Sequence, residues 1–247
     1  YILGLKSSTT SNMIYGELGR FPIDVHIKKN IISYWHSILT GRESKLCNVM
    51  YNCLYQLYRE NKYKSEWLSN VHRILNECGE SNVWLNQGKG IDKTWIKHTF
   101  MQRLKDQFVQ KWQGEIEESG KCTLYKTYKS EFKMEEYIVN LPDCKRKPIM
   151  KFRTSNHRLA VETGRHSNIS RNLRYCDLCK QDILGDEYHL IMECKADHVV
   201  DIRKTLIPPY YRNRPNMLKF QQLMSNISKQ QKLAIQVANF LRLSQVV

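Results

Sequence analysis

Glycine and proline are scarce. Eleven Gly and six Pro in 247 residues are too few for an all-β sandwich or barrel, which turns every 8 to 12 residues or so, and they favour long helices. Apolar runs are short as well. None approaches the roughly 18 residues of a membrane span, and residues 1–5 lack the basic start and length of a signal peptide. A soluble, intracellular protein, nuclear and/or cytoplasmic, is expected. A Gly-rich phosphate loop and a Ser or Cys nucleophile with a recognisable partner are also missing.

Acids are outnumbered. Against 24 Asp and Glu stand 39 Lys and Arg, a formal net charge of +15, which makes a surface that attracts polyanions, nucleic acid first among them. The remaining composition is globular, and the length allows one large domain or two modest ones, each able to bury a core. The chain opens on Tyr1 and not on Met, which suggests the C-terminal piece of a longer polypeptide.

The fold class expected is mainly α: a helical bundle, then a basic segment with a small zinc knuckle, then C-terminal helices. Pro22 can start a helix whose apolar residues Ile23, Ile27, Ile31, Tyr34, Trp35 and Ile38 recur every three or four positions. Leu46, Val49, Met50, Cys53, Leu54 and Leu57 continue that spacing in a second helix. Ser65 and Gly79 bracket a third, and Asp92 can cap a long one ending near Gly120. A shorter helix is expected over 130–141 and another over 201–207, with Asn216 and Ser228 opening the last two. Aromatic residues along these helices read as core packing.

Residues 145–174 are different in character. Lys145, Arg146, Lys147, Lys151, Arg153, Arg158, Arg165, Arg171 and Arg174 face the single acid Glu162. A solvated face normally mixes both signs, so this strip, with His157, His166 and the neutral donors Asn156, Ser167, Asn168 and Ser170, reads as a nucleic-acid contact. Ile149, Phe152, Leu159 and Val161 are its inward set, with Lys151, Arg153, Arg158 and Arg165 on the opposite surface.

Eight cysteines divide into two groups. Cys47, Cys53, Cys78, Cys122 and Cys144 are scattered, mostly in apolar stretches, where free thiols act as small core hydrophobes. Cys176, Cys179 and Cys194 cluster within 19 residues and, with His189, spell Cys-x2-Cys-x9-His-x4-Cys. Three thiolates and one imidazole fill a tetrahedral zinc site and leave no open position, so the metal is expected to be structural. Gly185-Asp186 reads as a turn and helix cap before His189. Five residues of α-helix advance by about 500°, leaving His189 and Cys194 about 140° apart, so the helix must unwind before Cys194. His198 is the rival fourth ligand.

Several motifs occur in order: Tyr15-Gly16-Glu17-Leu18-Gly19-Arg20-Phe21-Pro22, Lys151-Phe152-Arg153-Thr154-Ser155-Asn156-His157-Arg158-Leu159, Glu162-Thr163-Gly164-Arg165, then the cysteine and histidine positions with Gly185-Asp186-Glu187-Tyr188-His189. Together they resemble the C-terminal region that follows the reverse transcriptase domain in non-long-terminal-repeat retrotransposon polyproteins of invertebrates. The resemblance runs over nearly the whole chain, through Pro209-Tyr210-Tyr211 and Arg214-Pro215-Asn216.

The resemblance implies a thumb or linker-like helical region (1–142), a basic segment with a Cys-Cys-His-Cys knuckle (143–207) and C-terminal helices packing on the core (208–247). It also implies an upstream reverse transcriptase domain in the parent polyprotein and RNA and/or DNA as partners. Palms of that family carry paired aspartates for magnesium, and this chain has no Asp-Asp, so no polymerase activity is expected of it alone. Two other classes compete: a helical protein-interaction module with a purely structural zinc, and a stand-alone endonuclease, for which the carboxylates beyond Cys194, Asp197 and Asp201, are too few. The Tyr210-Tyr211-Arg212-Asn213-Arg214-Pro215 stretch fits either single-strand stacking or a packed connector.

Overall fold

The computed structural model describes residues 4–42 and 45–247; residues 1–3 of the opening pentapeptide lie outside them. Among the described residues the protein is built of helices with no strand, only two isolated bridges, Leu18 with Met134 and Tyr175 with Leu184. None of these helices is long and apolar enough to cross a membrane. The chain divides into two compact units, Phe21–Trp112 and a second made of Tyr1–Arg20 with Gln113–Val247. The changes of sequence character near residues 142 and 207 both fall inside the second unit.

In the first unit, the helices Ile23–Leu39, Leu46–Arg59 and Glu66–Glu77 follow one another as the periodicity predicts. Ser65 caps the third through its side chain, which accepts from the Leu68 amide, and Asp92 accepts from the Trp95 amide at 2.7 Å. The core gathers Ile32, Trp35, Leu68, Val71, Leu75, Trp84 and Phe100. Trp35 Nε1 donates to the Tyr51 hydroxyl at 2.9 Å, satisfying an indole that burial would otherwise leave unpaired.

The helix Leu46–Arg59 turns the wrong way for its apolar stripe. Leu46 is 72% and Met50 62% exposed, and Val49, Cys53 and Leu57 are exposed too. Its buried residues are Asn48 and Tyr51, held because Asn48 Nδ2 donates to the Ile38 carbonyl at 3.1 Å and Tyr51 bonds both Trp35 and Gln87. The thiols are corrected in part as well: Cys78 and Cys122 are buried, but Cys47, Cys53 and Cys144 are exposed.

In the second unit the helix Asp143–Arg153 packs along the last helix, Gln231–Leu243, which also meets Met217–Lys229. Ile149, Phe152, Leu190, Ile191, Phe220, Leu223, Val237 and Phe240 fill the core between them. The expected inward set, Ile149, Phe152, Leu159 and Val161, is buried throughout. Asn216 caps its helix by accepting from the Lys219 amide.

Three boundaries shift, each with a physical cause. The helix expected over 130–141 is only Glu136–Asn140, because the preceding stretch lies against Gly19, where a Cβ would sit 2.2 Å from the Met134 nitrogen, and the Glu135 amide donates to the Glu17 carbonyl. The last helix begins at Gln231 and not at Ser228, whose hydroxyl instead bonds Glu135. The helix expected from residue 201 starts earlier, at Asp197, where a carboxylate in the first turn suits the helix dipole.

Candidate metal centre

Cys176 and Cys179 lie in a tight turn closed by the Lys180 amide donating to the Cys176 carbonyl at 3.0 Å, with Lys180 at φ +53°. The Cys176 amide donates to Ile183 and the Gly185 amide to Arg174, so the turn folds back on itself. Gly185 is the pivot of this return. A Cβ there would stand 2.8 Å from Cys176 Cα and 3.0 Å from Ala160 Cβ, a space only glycine fits.

Asp186 then starts the ligand helix as its sequence position predicts, its side chain accepting from the His189 amide at 2.9 Å. The 140° problem is solved by a change of helix type. His189–Glu193 is a π-helical turn, and the Cys194 amide donates to the His189 carbonyl at 2.7 Å. A bond from residue i+5 to residue i closes one turn over five residues, bringing both ligands to the same side. At Cys194 the chain leaves the helix (φ −53°, ψ 127°), and Arg203 fixes this exit by donating to the Leu190 and Cys194 carbonyls at 2.9 and 2.8 Å.

The ligand atoms of Cys176, Cys179, His189 and Cys194 all lie within 4.8 Å of one another. Cys176 Sγ stands 3.9 Å from Cys194 Sγ, and Cys179 Sγ 3.4 Å from His189 Nε2. Tetrahedral zinc with sulfur at about 2.3 Å and nitrogen at about 2.0 Å needs edges of about 3.8 Å for S···S and about 3.5 Å for S···N. The residues fit the ion: this cluster could hold a metal such as zinc. His198 is exposed and is not one of the four.

The protonation energetics point the same way. Burial raises the Cys176 thiol, and burial with the neighbouring Cys176 and Cys179 sulfurs pushes Cys194 up to about 12. For Cys179 burial is outweighed by the Gln181 and Lys195 amides and the adjoining thiols, which hold it below its ordinary value. Burial lowers His189, keeping its imidazole neutral. Two of the three sulfurs, those of Cys176 and Cys194, thus resist ionisation by themselves, a cost that a cation bound to the cluster would offset.

The basic strip is placed less simply. Arg153 is corrected outright: 1% exposed, it holds the buried Glu17 carboxylate through Nε and Nη2 at 2.9 to 3.1 Å and donates to the Met224 carbonyl at 2.7 Å. His157 is buried too, bonded to Glu187 at 2.9 Å, and Asn156 is buried against Thr9. Arg174 donates to the Ile169 and Val161 carbonyls, and Arg165 pairs with Glu162 at 2.9 Å. Asp143 takes both Arg146 and Lys147, Lys145 bonds Asn239, and Arg171 stands 4.0 Å from Asp186. Among the described residues, Lys151 and Arg158 alone of the nine have no side-chain hydrogen bond or ion pair.

Two residues important to this unit escaped sequence reading. Glu17 pairs with Arg153 across 136 positions, and Arg203 anchors the ligand turn; neither has a local signal. Compared with known proteins, the chain matches no family model, no curated protein and no solved structure.

Proposed function

We propose that this chain is a non-catalytic, zinc-stapled segment of a retroelement reverse transcriptase polyprotein that holds template RNA or target DNA. The reading rests on the Cys176, Cys179, His189 and Cys194 cluster, which could hold a metal ion, embedded in the ordered motifs that resemble the region after such polymerases. With all four positions filled by protein ligands, no water or substrate has a place on the ion, which supports a structural role. Zinc here supplies folding energy and orients the surrounding surface. The net charge of +15 supports a polyanionic partner.

One observation favours a second reading, a protein-interaction module: the outward apolar stripe of Leu46–Arg59, since exposed apolar patches of this kind commonly mark contact surfaces. Two measurements on the purified protein test the proposal. Metal analysis should find one zinc per chain, lost in Cys179→Ser, with local unfolding. Affinity for a labelled single-stranded oligonucleotide should fall by orders of magnitude between about 50 and 200 mM salt. Full zinc occupancy in that variant removes the metal assignment, and salt-independent or absent binding leaves the interaction module standing.

A further inference from the structure

Lys151 and Arg158, the two uncommitted strip cations, lie beside the last six residues of the chain. A cation outside the strip joins them there. From residue 202 to residue 247 the sequence has eight Lys and Arg and no Asp or Glu, and one of these, Arg242, is exposed at the end of the last helix with no hydrogen-bond or ion-pair partner among the described residues. Arg242, Lys147 and Lys151 line one depression of about 470 Å³. Lys147 and Lys151 stand four apart on the helix Asp143–Arg153, where like charges repel. The one side-chain carboxylate that lines that depression among the described residues, Asp143, already serves Arg146 at 2.5 Å and Lys147 at 2.6 Å.

On the other side of the same tail, Arg158 and His198 line a second depression of about 610 Å³, in which Asp177 is the only acid among the described residues. The backbone ties this side down: the Arg158 amide donates to the Val246 carbonyl at 2.8 Å. Thus three cations from three segments gather at residues 242–247, and none makes an ion pair among the described residues. Among the described residues no Phe, Tyr or Trp lines either depression, so this lining offers charge without a platform for bases. Phosphate contacts fix a strand in place and carry no sequence information.

We propose that Lys151, Arg158 and Arg242 form one edge, wrapped around the C-terminal tail, that holds successive phosphates of a nucleic-acid strand without reading its bases. This rests on the nucleic-acid reading above and relocates its contact from the strip as a whole to this edge. The site is open and its cations are spread over two depressions, which suits a chain of phosphates better than one small anion.

The test is the triple variant Lys151→Ala, Arg158→Ala, Arg242→Ala, beside the charge-keeping triple Lys151→Arg, Arg158→Lys, Arg242→Lys. Both are titrated with labelled single-stranded RNA and DNA across a salt series, and zinc content and helicity are measured on each. The alanine triple should keep zinc and helicity, bind at least about 10-fold more weakly near 50 mM salt, and show a salt slope shallower by about two, at about 0.7 per phosphate contact. The charge-keeping triple should bind within about twofold of the original, and homopolymers of different bases should bind alike. Should the triple fail to fold, Arg242→Gln alone carries the test, with a slope change of about 0.7. If the unaltered protein binds with a steep slope and the alanine triple binds equally well, the phosphates lie elsewhere and the edge is refuted while the broader reading stands. If the unaltered protein does not bind, or polyglutamate competes as well as RNA, the broader reading fails and the edge falls with it.

Discussion

Replacing Arg153 with Met should damage the fold and leave the nucleic-acid surface alone. Its guanidinium belongs to a buried group of four charges, Glu17, Glu135, Lys129 and Arg153, all under a tenth exposed. Two negative and two positive charges cancel. Arg153 donates three bonds to Glu17, reaches Glu135 at 3.4 Å, and lies over the Tyr128 and Tyr137 rings at 4.7 and 5.7 Å from their centroids. With Met in its place, Glu17 keeps the Tyr137 hydroxyl at 2.5 Å among the described side chains, and the group carries one uncompensated negative charge in a buried site.

Removing one partner of a buried pair costs about 3 to 5 kcal/mol, which for a unit of this size lowers the melting temperature by about 6 to 20 °C. All five Trp lie between residues 35 and 112, in the other unit, so urea and thermal transitions are best followed by far-UV circular dichroism and tyrosine signals. The double variant Glu17→Leu with Arg153→Met restores neutrality and should recover about 2 kcal/mol relative to the single change, a coupling that a double-mutant cycle reads directly. A single variant within about 1 kcal/mol of the original, or a double variant costing the sum of the two singles, would refute this account of the network. Below its melting transition the single variant should bind oligonucleotide as the original does.

Two further outcomes follow from the same unit. Gly185→Ala drives a Cβ against Cys176 and Ala160, so it should cost about 1 to 3 kcal/mol and weaken zinc retention against a chelator; a variant that holds zinc and melts like the original would show that the turn yields. Burial favours the neutral form of Glu135, but Arg153 and Lys129 outweigh it and hold its carboxyl below the ordinary value. A depressed carboxyl stabilises the fold above its unfolded-state pKa, and that contribution disappears as the pH falls through the folded value. The stability difference between the original and Glu135→Gln should therefore be constant from about pH 7 to 5 and shrink toward about pH 3; a difference independent of pH would contradict the pairing.

What could be read from the sequence divides along a physical line. Caps and periodicity are local, so Ser65, Asp92, Asp186 and Asn216 all accept the amides their positions predict. The metal tetrad is legible because few residue types ligate a metal. Which face of a helix is buried is not local. In Leu46–Arg59 the apolar stripe predicts one face, but the Ile38 carbonyl at the end of the preceding helix and the indole of Trp35 reward the other, through Asn48 and Tyr51. Charge misleads in the same way. Nine cations against one acid read as surface because Glu17, the Met224 carbonyl and the carbonyls of Val161 and Ile169 are invisible as partners until the chain is folded.

The ligand spacing shows how far a purely geometric expectation can go. A helix that must present residues five apart to one ion can stop before the second ligand or lengthen its turn, and the sequence states only the constraint. The chain does both. The π turn over His189–Glu193 aligns the two ligands, and the extended backbone at Cys194 then frees its sulfur to meet Cys176. A π turn is poorly stabilised by itself, so its cost must be offset by groups that hold both ends. Asp186 holds the first through the His189 amide, and Arg203 holds the last through two carbonyls. Arg203 donates those bonds from a buried guanidinium, whose pKa burial lowers before any other cause. The x4 spacing, the capping aspartate and the buried arginine nine residues beyond Cys194 thus act as one device, which brings together two side chains of a cluster that could hold a metal and that the α-helix alone would keep apart.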